Sequence, residues 1–167
     1  AAGLGFAREA VMAEINGASD NPVALVKEGR VVSCGAYFTG ELGNAIETLN
    51  RSFVHLTFAQ LARMAKHLDP AFSGLSMCLA GPSGGNGFAP LLKTAEALAA
   101  EISHAAQPPS LWPSINANGV EDCLSTAPVA VRALARIGEL SAHLAAIELL
   151  IAARALDLRG TAGDAVP

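Results

Sequence analysis

Charge is scarce in this sequence. Asp, Glu, Lys and Arg together make up 16% of its 167 residues, well under the roughly 25% usual in soluble domains. Aromatic residues supply 5%, yet 51% of the chain is hydrophobic, so the apolar excess is mostly Ala and Leu. A core built from large rings is thereby excluded, and close-packed helices are favoured. The excess also exceeds what one small domain buries alone, which points to an obligate oligomer. There is no basic run and no interleaving of aromatic with basic residues, and the formal net charge is −4. Neither nucleic acid nor an anionic membrane surface is expected as a partner. Long hydrophobic runs are missing as well. Pro70 to Leu92, the longest stretch without Asp, Glu, Lys or Arg before Lys93, carries two further prolines and five glycines. A lipid-facing helix of ~20 residues is not built that way. No basic-then-apolar leader opens the chain, so the expected compartment is the cytoplasm. Cys34, Cys78 and Cys123 are odd in number, far apart and form no CxxC, which suits small buried residues. His55, His67, His104 and His143 share no ligand spacing, and HExxH does not occur. No metal is expected.

What the sequence does have is helical periodicity. Phe6 to Asn16 reads as the tail of a helix, with Phe6, Ala10, Val11 and Ile15 on one face. "VALV" and "VVS" flank "KEGR", the pattern of a short β-hairpin around a glycine-containing turn. From Gly40 to about His67 no proline interrupts a stripe of Leu42, Ala45, Ile46, Leu49, Phe53, Leu56, Leu61 and Met64. That predicts a helix near ~40 Å long. A further helix is expected from about Phe88 to Ala106. A last one should run from roughly Glu121 to Leu158, where Gly138 can bend or split it. Its apolar stripe is Leu134, Ile137, Leu140, Leu144, Ile147, Leu150 and Ile151. The expected fold is mainly α, a bundle of long helices with one short hairpin, forming a single helical domain over residues 1–167 or part of a larger one.

Between these helices lie polar, glycine- and proline-rich segments: "NGASDNPV" at 16–23, "GAYFTG" at 35–40, "GGNGFA" at 84–89 and "QPPSLWPSINANGVED" at 107–122. Loops of that kind, held on rigid helices, commonly carry function. In "NGASDNPV" the side chains of Asp20 and Asn21 can bond nearby backbone, and Pro22 cannot continue a helix, so the three form a structural turn.

Four of these strings, in order, resemble segments of the histidine and aromatic amino acid ammonia-lyases. "INGASDNPV" is similar to that family's Asn-Ser-x-Ser/Thr-Asp-Asn-Pro, and "GAYFTG" to its Gly-Gly-Asn-Phe-His-Gly. "GGNGFA" stands where the family has Asn-Ser-Gly-Phe. "VEDCLSTAP" is similar to Gln-Glu-Asp-His-Val-Ser-Met-Ala-Pro, and the closing "AAIELLIAARALDLRG" matches the helix that follows. The spacing agrees along nearly the whole chain, but only with the central-to-C-terminal part of the family.

The resemblance implies a reaction that removes ammonia from an α-amino acid or moves the amine to the β-carbon. The family performs it with a methylidene-imidazolone cyclised from Ala-Ser-Gly and with a tyrosine base. No Ala-Ser-Gly occurs here: Ser73-Gly74 and Ser83-Gly84 follow Phe72 and Pro82, and Tyr37 stands where the family has Asn. The chain is thus expected to be inactive alone. It would work with the N-terminal part of such an enzyme, as a homo-oligomer (the family's tetramer) or in complex with a chain carrying that part. It could be a fragment, a proteolytic remnant or a split-enzyme subunit, and its Ala-Ala start fits Met removal and truncation equally. A non-catalytic scaffold or regulatory subunit is the rival reading.

By the same resemblance the catalytic candidates are Phe38, which can pack on the electrophile, and Glu121, which can orient or take a proton from the substrate. Thr39, Gly85 and Asn86 are the substrate-binding candidates. From the residues alone, Phe38 also reads as an ordinary core ring, Glu121 and Asp122 as carboxylates at a helix N-terminus, and Gly85 to Gly87 as a tight turn. Thr39, Val120 and Gly85 depart from the family's His, Gln and Asn.

Overall fold

A computed structural model describes residues 2–18, 20–35, 37–111 and 124–160. Along them run α1 (Ala2–Asn16), β1 (Val23–Leu25), β2 (Arg30–Val32), α2 (Gly40–Leu68), α3 (Pro70–Ser73), α4 (Ala89–Ala105) and α5 (Ala127–Arg159). The fold is mainly α with one two-stranded hairpin, as the periodicity predicts. β1 and β2 are antiparallel, with Val23 opposite Val32 and Leu25 opposite Arg30. Gly29, at φ +64°, closes the 3₁₀ turn Val26–Glu28 between them, a conformation glycine adopts without strain.

The chain divides into two compact units. The first comprises Ala1–Ser52 and Ala106–Ala135. Its apolar cluster is Ala7 of α1, Ile46 of α2 and Ala130 of α5, with Leu42, Leu49 and Leu134 packed against them. A stripe of Phe6, Ala10, Val11 and Ile15 was expected to seat α1; instead Ala7 and Ala10 are buried, and Phe6 and Ile15 are exposed. The reason is close approach: Gly3 comes so near α2 that a β-carbon there would touch Ser52 Oγ at 2.5 Å. Small residues at i, i+4 and i+7 permit that spacing, and large ones do not. Among the described residues of this unit, the side chains of Glu47 and Asn50 are polar and buried. Glu47 accepts from the Ser110 backbone N–H (3.0 Å) and from Ser110 Oγ (2.7 Å). Asn50 Nδ2 donates to the Ala130 carbonyl at 3.1 Å.

The second unit comprises Phe53–Ala105 and Arg136–Pro167. Its core takes Met64 from α2, Ala95, Ala99 and Ile102 from α4, and Ile137, Leu144 and Ile151 from α5. Each fully buried Leu or Ile contributes roughly 1.5–3 kcal/mol. Leu56 and Leu150, expected on the buried stripes, are exposed. α2 stops at Asp69-Pro70: the Asp69 side chain accepts from Ala71 N–H at 2.8 Å and caps α3, with Pro70 in its first turn.

α5 differs from expectation at both suspected points. It begins at Ala127 rather than near residue 121, and Leu124 to Thr126 are not helical. Pro128 has no N–H to donate and so belongs in a first turn; the Thr126 carbonyl takes the N–H groups of Val129 (2.9 Å) and Ala130 (3.1 Å) instead. Gly138 neither splits the helix nor ends it.

Candidate functional site

Two loop regions carry the predicted residues. In the first unit, the end of the hairpin leads to Phe38. The turn at Asp20, Asn21 and Pro22 anchors this stretch: Asn21 N–H donates to Asp20 Oδ1 (2.8 Å), and Asn21 Oδ1 accepts from Ser33 Oγ (3.1 Å) and Cys34 N–H (3.0 Å). Pro22 follows Asn21 through a cis bond. The Phe38 N–H donates to the Gly35 carbonyl at 2.9 Å. The ring lies over Gly40, where any β-carbon would overlap it, and it stays 43% exposed. Phe38 is therefore a presented ring held by backbone, not a core phenylalanine.

Thr39 makes two contacts. Its carbonyl accepts from Gly43 N–H at 3.0 Å and so opens α2. Its Oγ1 is 2.5 Å from Ser125 Oγ, and either hydroxyl can be the donor. Ser125 was not among the predicted residues. "STAP", a serine and a threonine before a first-turn proline, is the signal that could have found it.

The second unit holds Gly85 and Asn86. Gly81 and Gly84 form an isolated bridge. The Phe88 N–H donates to the Cys78 carbonyl at 2.8 Å, and the Asn86 carbonyl accepts from Ala89 N–H at 3.0 Å as α4 begins. Cys78 and Leu79 take φ +51° and +57°, unusual for residues with side chains. Leu79 is buried, and its carbonyl lies 3.4 Å from Arg154 Nε. A hollow of about 340 Å³ is lined by Gly74, Leu75, Ser76, Ala80, Gly81, Pro82 and Leu158. None of the predicted residues lines it.

The same unit has an ion network that the sequence did not announce. Glu148 accepts from Arg63 Nε at 2.6 Å and from Gln60 Nε2 at 2.9 Å. Burial alone would raise the Glu148 carboxyl, but the bonds from Arg63 and Gln60 and the charges of Arg63 and His67 outweigh it and hold the group below its ordinary value. Among the described residues no cluster of three or more His, Cys, Asp or Glu is placed to hold a metal. No helix among them is long and apolar enough to cross a membrane. Glu121, Asp122, Val120, Cys123 and Trp112 lie outside the described residues.

Comparison with known proteins adds the family. The sequence pattern "Aromatic amino acid lyase" matches residues 2–166. Histidine ammonia-lyase of Stigmatella aurantiaca is 35% identical over 158 residues, which is 94% of this chain and 31% of that protein. In structure, the ergothionase of Treponema denticola superposes with a TM-score of 0.87 at 26% identity, covering 95% of this chain and 32% of that one. The phenylalanine aminomutase of Pantoea agglomerans gives 0.81 at 26% identity, over 93% and 31%. The chain spans about a third of the length of the relatives it matches.

Proposed function

Because the chain belongs to the aromatic amino acid lyase family, we propose that it forms part of an ammonia-lyase or aminomutase acting on histidine or an aromatic amino acid. The observation that carries this reading is the posture of Phe38: an apolar ring packed over Gly40, on a backbone tied to Gly35, and left partly exposed. Such a ring walls a dry reaction site.

The residues fit the wall of a methylidene-imidazolone site but not its source, since no Ala-Ser-Gly occurs in the 167 residues. That group, when present, supplies the electrophile that captures the substrate amine. This chain's own part is to exclude water with Phe38 and to orient, or take a proton from, the substrate's ammonium or imidazole with Glu121. In the second unit, by the family resemblance, Gly85 and Asn86 are the candidates for offering backbone amides to a substrate carboxylate. Residues 1–167 alone are inactive in this reading, and the working form is an oligomer, with four copies as the family's pattern. Exposed apolar residues such as Ile15, Val26 and Leu149 support burial against other chains.

The non-catalytic scaffold is favoured by one observation: Thr39 replaces a family histidine, and its hydroxyl is engaged with Ser125. Intact-mass analysis of the untagged protein from its source separates the two. The lyase reading expects this sequence joined to, or bound with, an Ala-Ser-Gly-bearing part whose mass is short by two waters. A homo-oligomer of these residues with no such deficit supports the scaffold.

A further inference from the structure

We propose that the Thr39–Ser125 hydrogen bond is a latch that sets the position of the Phe38 ring, which makes Ser125 a positioning residue of the site. The proposal rests on the reading that Phe38 walls the reaction site. Four observations converge on it. The two hydroxyl oxygens are 2.5 Å apart although 86 residues separate them in sequence, at the short end for hydroxyl pairs. Both residues are half-buried, so the bond is shielded from competing water. Each hydroxyl belongs to a residue already fixed by a helix start: the Thr39 carbonyl accepts from Gly43 of α2, and Ser125 Oγ lies 3.4 Å from the Ala127 N–H of α5. Finally, those two starts touch, because a β-carbon on Gly43 would lie 3.7 Å from Ala127 N and 3.8 Å from its Cα.

Phe38 thus hangs between two ties. Behind it is the bond to the Gly35 carbonyl, and directly after it is the latch, with Gly40 beneath the ring. Without the latch, the Phe38-Thr39 peptide remains joined to α2 but loses its link to the start of α5. Thr39 on this view contacts Ser125 rather than substrate. Both partners are neutral hydroxyls, so the latch acts through geometry and leaves the pH profile of the reaction unchanged.

The test combines amide hydrogen exchange and steady-state kinetics on the whole assembled protein carrying Thr39→Val, Thr39→Ser, Ser125→Ala or the Thr39→Val/Ser125→Ala pair. Exchange in residues 37–43 and 124–130 is expected to rise about fivefold in Thr39→Val and in Ser125→Ala, the factor expected from one lost hydrogen bond. The pair should rise no further than either single change, and Thr39→Ser, which keeps the hydroxyl, should behave as the parent does. kcat should fall about ten- to a hundredfold with KM and the pH profile unchanged, as for a displaced reacting wall. Unchanged exchange in Thr39→Val, or additive effects in the pair, overturns the latch. Faster exchange with unchanged kcat in an active enzyme overturns the positioning role. Should Ser125→Ala fail to fold, the Thr39→Val and Thr39→Ser contrast decides alone. A parent protein that neither releases ammonia from any amino acid nor moves its amine to the β-carbon sinks the proposed function, and the exchange data still decide whether the latch exists.

Discussion

At Gly87 the backbone sits at φ +48°, and a β-carbon would run into the carbonyl oxygen of Cys78 and the amide of Ala80. Both obstacles are backbone and cannot swing aside. Gly87→Ala should therefore destabilise the protein by about 1–3 kcal/mol in urea unfolding. Gly85→Ala, at φ +102° in open space, meets no such obstacle and should cost less. Glu148 gives a second residue-level expectation. Against the opposing effect of burial, Arg63 and Gln60 hold its folded carboxyl below the ordinary value, so the ionised network adds stability above the ordinary carboxylate range and loses it as pH falls through the lowered folded value. Glu148→Gln should lower stability at neutral pH by about 1–3 kcal/mol, and thermal unfolding should show the gap to the parent closing as pH falls through the lowered folded value of the carboxyl. At this scale the sequence was only partly legible. Phe38 could be singled out by motif, but its exposure could not, because that depends on Gly40 clearing the space beneath the ring. Ser125 and Gln60 depend on the facing of residues over 80 positions away, which no local pattern carries.

Secondary structure was easier to read, since helices announce themselves through period and caps. α2 and α4 end within a residue or two of where proline, glycine and the apolar stripe place them. The misses have local causes. α5 starts late because Pro128 demands a first-turn position, and α1 packs through glycine and alanine where the larger apolar side chains had been favoured. Gly138, read as a possible break, lies on the exposed side of an unbroken helix with nothing within 4 Å of an added β-carbon. Gly138→Ala should consequently stabilise the protein by about 0.5–1 kcal/mol, through helix propensity alone. Thermal unfolding of the single variant checks it; a loss of stability would mean that α5 bends there in solution.

Over the whole molecule, composition pointed in the right direction: few charges and many Ala and Leu residues give helices that pack closely and still leave apolar side chains outside. Four short strings in the right order carried the family, and the match over residues 2–166 bears that out. The candidate site is less legible than the fold, because the pairing of Thr39 with Ser125 joins positions 86 apart. The most direct measurement is formation of ammonia or of a β-amino acid from L-histidine, L-phenylalanine and L-tyrosine by the untagged protein from its source, beside the same protein carrying Phe38→Ala. Turnover of at least one of them, reduced about a hundredfold in Phe38→Ala, is the predicted result. Neither ammonia nor a β-amino acid from any of the three, or turnover that Phe38→Ala leaves unchanged, would contradict an ammonia-lyase or aminomutase walled by Phe38.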